Sequence, residues 1–152
     1  MAEQLTLEKL KNSVGKEVAV SDWFEVTQDR INTFAECTDD HQWIHVDPVK
    51  AKDGPFKTTI AHGFLTLSLL SHFHFEVKVF PSDIKLAVNY GLNKVRFLNP
   101  VTVGSKIHAR FKVLSMEEKG HGRILMSLEN TIEAQGADKP AMIAETLTLL
   151  FV

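Results

Sequence analysis

The sequence predicts an α+β fold in which a curved antiparallel sheet wraps around one long apolar helix. Three observations carry this reading. Residues 64–80, FLTLSLLSHFHFEVKVF, are the most apolar stretch and set Leu65, Leu69 and then His72 or Phe73 at helical spacing. From residue 85 onward the hydropathy period becomes two, in segments long enough to be strands. Strands thus follow the dominant helix in series instead of alternating with helices, which segregates helices to one face of the sheet.

Each element has its own local signals. TLEKLKNSVGK predicts a short helix closed near Gly15, and EVAVSDWFEV a first strand. TQDRINTFAECTDD predicts a helix with Thr27 as N-cap and Asp29 in the first turn, where the helix dipole favours an acid. Ile31, Phe34, Ala35 and Thr38 share one face of it, and Cys37 is expected as a small buried residue. Asp47-Pro48 starts another short helix, with Asp47 as cap and Pro48 at the first helical position. Gly54-Pro55 marks a turn, and Gly63 opens the long helix, which must end before Pro81. Asn89 and Tyr90 with Gly91 read as a turn leading into a short strand, KVRFL. In KIHARFKVL, Ile107, Ala109, Phe111 and Val113 face one way and His108, Arg110 and Lys112 the other. EEKGHG is a hairpin turn, and RILMSLENTIEA and AMIAETLTLLF are long strands joined through QGADKP.

A chain of 152 residues fits one domain spanning residues 1–152. A net charge of -2 without a basic run argues against nucleic acid or an anionic membrane as partner. Cys37 is the sole cysteine, which excludes an intramolecular disulfide and a cysteine metal framework. The N-terminal stretch carries acids early and lacks a secretory core, and no segment reaches the length of a membrane span. The expected compartment is the cytoplasm. An open sheet has edges to protect, so a homodimer is expected.

The stretch DDHQWIHVDP, residues 39–48, concentrates the titratable groups. As a metal site it lacks the regular spacing of histidine ligands, since His41 and His45 share a face only on a helix, and His72 and His74 point to different sides of theirs. No metal and no cofactor is expected. Asp40 and His45 can instead converge across an irregular loop, a carboxylate and an imidazole sharing one water, with Trp43 and Ile44 keeping the place dry. The plain alternative is that Asp40 caps a turn and His45 is a satisfied structural histidine. In IAHGF, residues 60–64, Gly63 would expose backbone N–H groups at a helix start, suited to a polarised carbonyl oxygen, or else serve only a tight turn. His62 beside it suits packing or capping equally.

Taken in order, Asp40, Gln42, Ile44-His45, Asp47-Pro48 and then GPFKTTIAHG resemble the MaoC-like (R)-specific enoyl-CoA hydratase family of hot-dog folds. The signature there is Asp-x-Asn-x-(Ile/Leu)-His, followed by a glycine-containing loop and His-Gly at the central helix. VNYGLNKVRFLNPVTVGSKI resembles the NodN-like branch of that family. The resemblance covers the chain from about residue 15 to its C-terminus. It implies Asp40 and His45 as the catalytic pair and Gly63 N–H as donor to a thioester oxygen. Gln42, His62 and Asn89 would support the substrate, an enoyl-CoA. Gln42 stands where the family commonly has Asn, and Trp43 where it often has Pro. Two alternatives are an acyl-CoA thioesterase and a non-catalytic acyl-CoA-binding protein. Thioesterases of this fold often place a carboxylate on the central helix, whereas residues 63–75 contain none.

Overall fold

A computed structural model describes residues 3–152. Its elements are α1 (Leu7–Lys11), β1 (Glu17–Val20), β2 (Phe24–Glu25), α2 (Gln28–Thr38), α3 (Trp43–Val46), α4 (Pro48–Ala51), α5 (Gly63–Ser68), α6 (Leu70–Glu76), β3 (Leu86–Phe97), β4 (Lys106–Gly120), β5 (Arg123–Ala134) and β6 (Met142–Phe151). One antiparallel sheet runs β1-β4-β5-β6-β3, with β2 also on β4. The helix–sheet interface is where the period-two and helical patterns meet. Leu65, Leu69, Leu70 and Phe73 pack with Ile107, Phe111 and Val113 of β4 and Ile124, Met126, Leu128 and Ile132 of β5 in one core. This is the hot-dog arrangement.

Three expected elements differ in detail. The first strand is split, because three residues lie between Val20 and Phe24 while two lie between their partners Arg110 and Ile107. The extra residue bulges out at Ser21–Trp23, and the Ser21 hydroxyl accepts the Ala109 N–H at 2.8 Å in place of a ladder carbonyl. The long helix tightens at Leu69 (ψ -14°) and ends at Glu76, where Lys78 turns left-handed (φ 54°). Asn89–Gly91 is not a turn. It lies inside β3, where register shifts at Asn89/Gly91 and Leu92/Lys94 each add one residue against β6. Pairing along the ten residues of β6 overrides the turn composition, and the misfit appears as bulges. Cys37 is exposed, since α2 buries Ile31 and Ala35 on the opposite side.

The capping expectations hold. Thr27 accepts the Arg30 N–H at 3.2 Å, and Asp47 accepts the Lys50 N–H at 3.0 Å with Pro48 opening α4. The β4–β5 hairpin turns at His121 and Gly122, both at positive φ (55° and 70°) as a two-residue primed turn requires. On the outer sheet face His108 stacks under Trp23 with ring centroids 3.9 Å apart and bonds Glu133 at 2.8 Å.

Candidate active site

Asp39 adopts φ 58° at the end of α2 and so turns the chain sharply into the loop carrying Asp40. Asp40 then makes two distinct contacts. Its Oδ1 accepts the Gln42 N–H at 3.3 Å, a local turn cap, while its backbone carbonyl accepts the His62 Nε2–H at 3.0 Å. The capping reading of Asp40 is therefore correct as far as it goes, and it leaves Oδ2 uncommitted among the described hydrogen bonds.

His45 is held more firmly. Its short helix α3 is tied to the strand-like segment before Gly63 by the Ile60 N–H donating to the Ile44 carbonyl at 3.0 Å. In return His45 Nδ1–H donates to the Ile60 carbonyl at 2.7 Å. Fixing the proton on Nδ1 leaves the Nε2 lone pair free, which is the tautomer a base needs. Burial of the ring holds its pKa below the ordinary imidazole range, opposed in part by the Ile60 bond, so His45 is neutral at pH 7.

His62 completes the cluster. Its ring stacks on His45 at 3.9 Å between centroids, and donor atoms of Asp40, His45 and His62 lie within 4.8 Å of one another. Three such groups can gather around a divalent cation. Holding one here would require breaking the His62–Asp40 bond or reaching His62 Nδ1, which is buried and has no hydrogen-bond partner. As folded, the set suits proton transfer better than ligation.

The next residue, Gly63, starts α5, so its N–H has no partner within the helix. A Cβ here would meet the Phe97 ring at 3.1 Å, so glycine also serves the close packing of that ring. Gly63 borders a cleft of about 280 Å³ walled by Phe56, Ile60, Phe97, Pro100 and Val101.

Comparison with known proteins identifies the family. Residues 9–135 match the model of the MaoC like domain. The chain belongs to the MaoC-like family. It is 48% identical to the 3-hydroxyacyl-thioester dehydratase Z of Mycobacterium tuberculosis over 141 residues, covering 91% of each chain. It is 41% identical to Nodulation protein N of Rhizobium meliloti over 148 residues, covering 96% of this chain and 91% of the relative. The unliganded R-hydratase PhaJ1 of Pseudomonas aeruginosa superposes with a TM-score of 0.70 at 25% identity, over 90% of this chain and 81% of that one.

Within this MaoC-like chain the structure gathers Asp40, His45 and His62, with Gly63 following His62 in the chain, but not every expected site residue. Gln42 is exposed, and its hydrogen bonds to the site are from its backbone: its N–H to Asp40 and its carbonyl to the His45 N–H at 3.0 Å. Asn89 lines a different cavity, of about 390 Å³, with Ser68, Ser71, His74, Tyr90 and Thr146. Trp43 lies across Gly54, whose Cβ position is 2.8 Å from the indole, and under Lys50. It walls the outer loop. Sequence reasoning missed Gln28, whose amide donates to the His45 carbonyl at 2.8 Å and accepts the Thr59 hydroxyl. A glutamine in a helix's first turn carries no signal of that role.

Proposed function

We propose that this protein hydrates trans-2-enoyl-CoA thioesters to (R)-3-hydroxyacyl-CoA and catalyses the reverse dehydration. One observation carries the reading: a neutral, buried His45 with its Nε2 lone pair free lies beside the Asp40 carboxylate and stacks on His62, the residue preceding the uncapped N–H of Gly63. In the hydration direction, water held by Asp40 and His45 adds its oxygen to the β-carbon as one of the pair removes a proton. Charge passes to the thioester oxygen, where Gly63 N–H stabilises it by about 3 kcal/mol. A proton delivered to the α-carbon from the same side completes the addition. The R configuration rests on family likeness, as does the choice of CoA. The thioester itself agrees with the name of the mycobacterial relative, a 3-hydroxyacyl-thioester dehydratase.

The test is loss of enoyl absorbance when the purified protein meets crotonyl-CoA, followed by chiral analysis of the product. Rapid loss giving the (R)-3-hydroxy acid supports the assignment. Binding of acyl-CoA without turnover would favour a non-catalytic binding protein, a reading to which the turn-capping role of Asp40 lends its support.

A pH profile gives a second check. If neutral His45 is required, activity is present above its folded-state pKa and lost as pH falls through it. Because burial depresses that pKa, the acid limb of kcat/KM should lie below about 6.5. A limb at or above that value would remove His45 from the base role.

The site would work within a homodimer. β3 is the edge of the sheet, and its Leu86, Val88, Tyr90 and Leu92 are exposed apolar side chains. A second β3 pairing across a two-fold axis would continue the sheet and cover them. Val88→Lys with Leu92→Lys sets like charges across such an axis and should convert dimer to monomer in sedimentation velocity. A doubly substituted protein that stays dimeric would place the interface elsewhere.

A further inference from the structure

We infer that His62 is a positioning residue, whose ring sets the relative placement of the Asp40 loop, the His45 imidazole and the Gly63 N–H. The inference rests on the hydration reading of the same site and adds to it a residue that moves no proton and touches no substrate.

The geometry assigns His62 three simultaneous contacts, one to each part of the reacting centre. Through Nε2–H it holds the Asp40 backbone carbonyl at 3.0 Å, while the Asp40 carboxylate oxygen lies farther off at 4.0 Å. Its ring face stacks on His45, the planes inclined by 23°, with Phe34 packed against it at 4.9 Å. Its backbone is the N-cap of α5, directly preceding Gly63. Among the described residues no other side chain both hydrogen-bonds Asp40 and stacks on His45.

Two features separate this from ordinary core filling. A phenylalanine would satisfy the packing against Phe34 and His45 equally well. The imidazole instead leaves Nδ1 buried and without a partner. Burying an unpaired acceptor opposes folding, so the histidine is a poor choice for stability alone. What it supplies and an apolar ring cannot is the Nε2–H bond that fixes Asp40. A base and carboxylate misplaced by a fraction of an ångström lose rate more than affinity, because near-attack geometry is what the barrier depends on.

Glutamine and asparagine divide the two ring positions. The Gln Nε2 reaches roughly where His Nε2 lies, and the Asn Nδ2 roughly where His Nδ1 lies. With crotonyl-CoA as the probe, His62→Gln should retain most of kcat, whereas His62→Asn and His62→Phe should each lose about tenfold or more with KM little changed. In thermal melts His62→Phe should lie near wild type, because removal of the unpaired Nδ1 offsets loss of the bond to the Asp40 carbonyl. Recovery in Gln but not Asn distinguishes positioning through Nε2–H from a merely structural ring.

His62→Phe with near-wild-type kcat, or a Gln variant no better than Phe, would overturn the inference. Should the Phe variant fold poorly, the Gln and Asn comparison decides alone. An inert wild-type protein is a different result: it removes the hydration reading and this inference with it, whereas an active wild type with indifferent His62 variants removes the inference only.

Discussion

Asp40→Asn and His45→Ala are each expected to lower enoyl-thioester turnover by about 10²-fold or more. Asp40→Asn is the cleaner of the two. Asparagine keeps an Oδ1 to accept the Gln42 N–H, so the turn survives while the carboxylate charge is lost. If Asp40 were only a cap, the variant would be active. His45→Ala also strips a donor from the Ile60 carbonyl and should cost about 1 kcal/mol of stability besides its activity. His45→Asn, which can donate from near the Nδ1 position but offers no free ring nitrogen, should be equally inactive and better folded. His41→Ala is the control: His41 is exposed, near Glu36, and outside the cluster. Steady-state rates with crotonyl-CoA and melting temperatures for all four variants make the check. Near-wild-type rates in both Asp40→Asn and His45→Asn would reject the pair.

The parts of this molecule legible in its sequence are those governed by periodicity and side-chain type. The core face of β4 was readable because Ile107, Ala109, Phe111 and Val113 alternate without exception, and all are fully buried. The Asp40–His45 loop was readable because acids, histidines and large apolar residues rarely share ten positions without cause. What was not readable depends on backbone groups or on partners distant in sequence. His45 is oriented by the carbonyl of Ile60, and any residue type at position 60 would offer that carbonyl. Gln28 reaches the loop across 17 positions. Asn89–Gly91 carried turn composition, yet ten residue pairs with β6 outweighed it. Cys37 was misplaced because cysteine's usual preference for burial says nothing of which helix face it occupies.

A second large effect concerns a residue the catalytic reading does not use. Along β5 the core face reads Ile124, Met126, Leu128, Asn130, Ile132, one amide in an apolar row. Asn130 is fully buried, accepts the His74 Nε2–H at 2.9 Å, and its amide group faces the Ala144 carbonyl and Thr146 hydroxyl, each at 2.9 Å. Asn130→Leu fits the row but strands His74, whose ring is buried among Phe80 and Phe111. One or two orphaned buried groups should cost about 3 kcal/mol, or about 6–12 °C in melting temperature for a chain of this size. Burial already holds the His74 pKa below its ordinary value. The folded state therefore binds fewer protons than the unfolded one, and wild-type stability should fall as pH drops below about 6.5. Adding His74→Phe to Asn130→Leu removes both partners together, which is close to neutral when shapes are matched. The double variant should thus recover much of the loss and lose the His74 contribution to the pH dependence. Urea denaturation at pH 7 and pH 5.5 across the four-protein cycle measures both effects. A single-variant cost below about 1 kcal/mol, or strict additivity, would mean that the buried pair is not coupled as its geometry indicates.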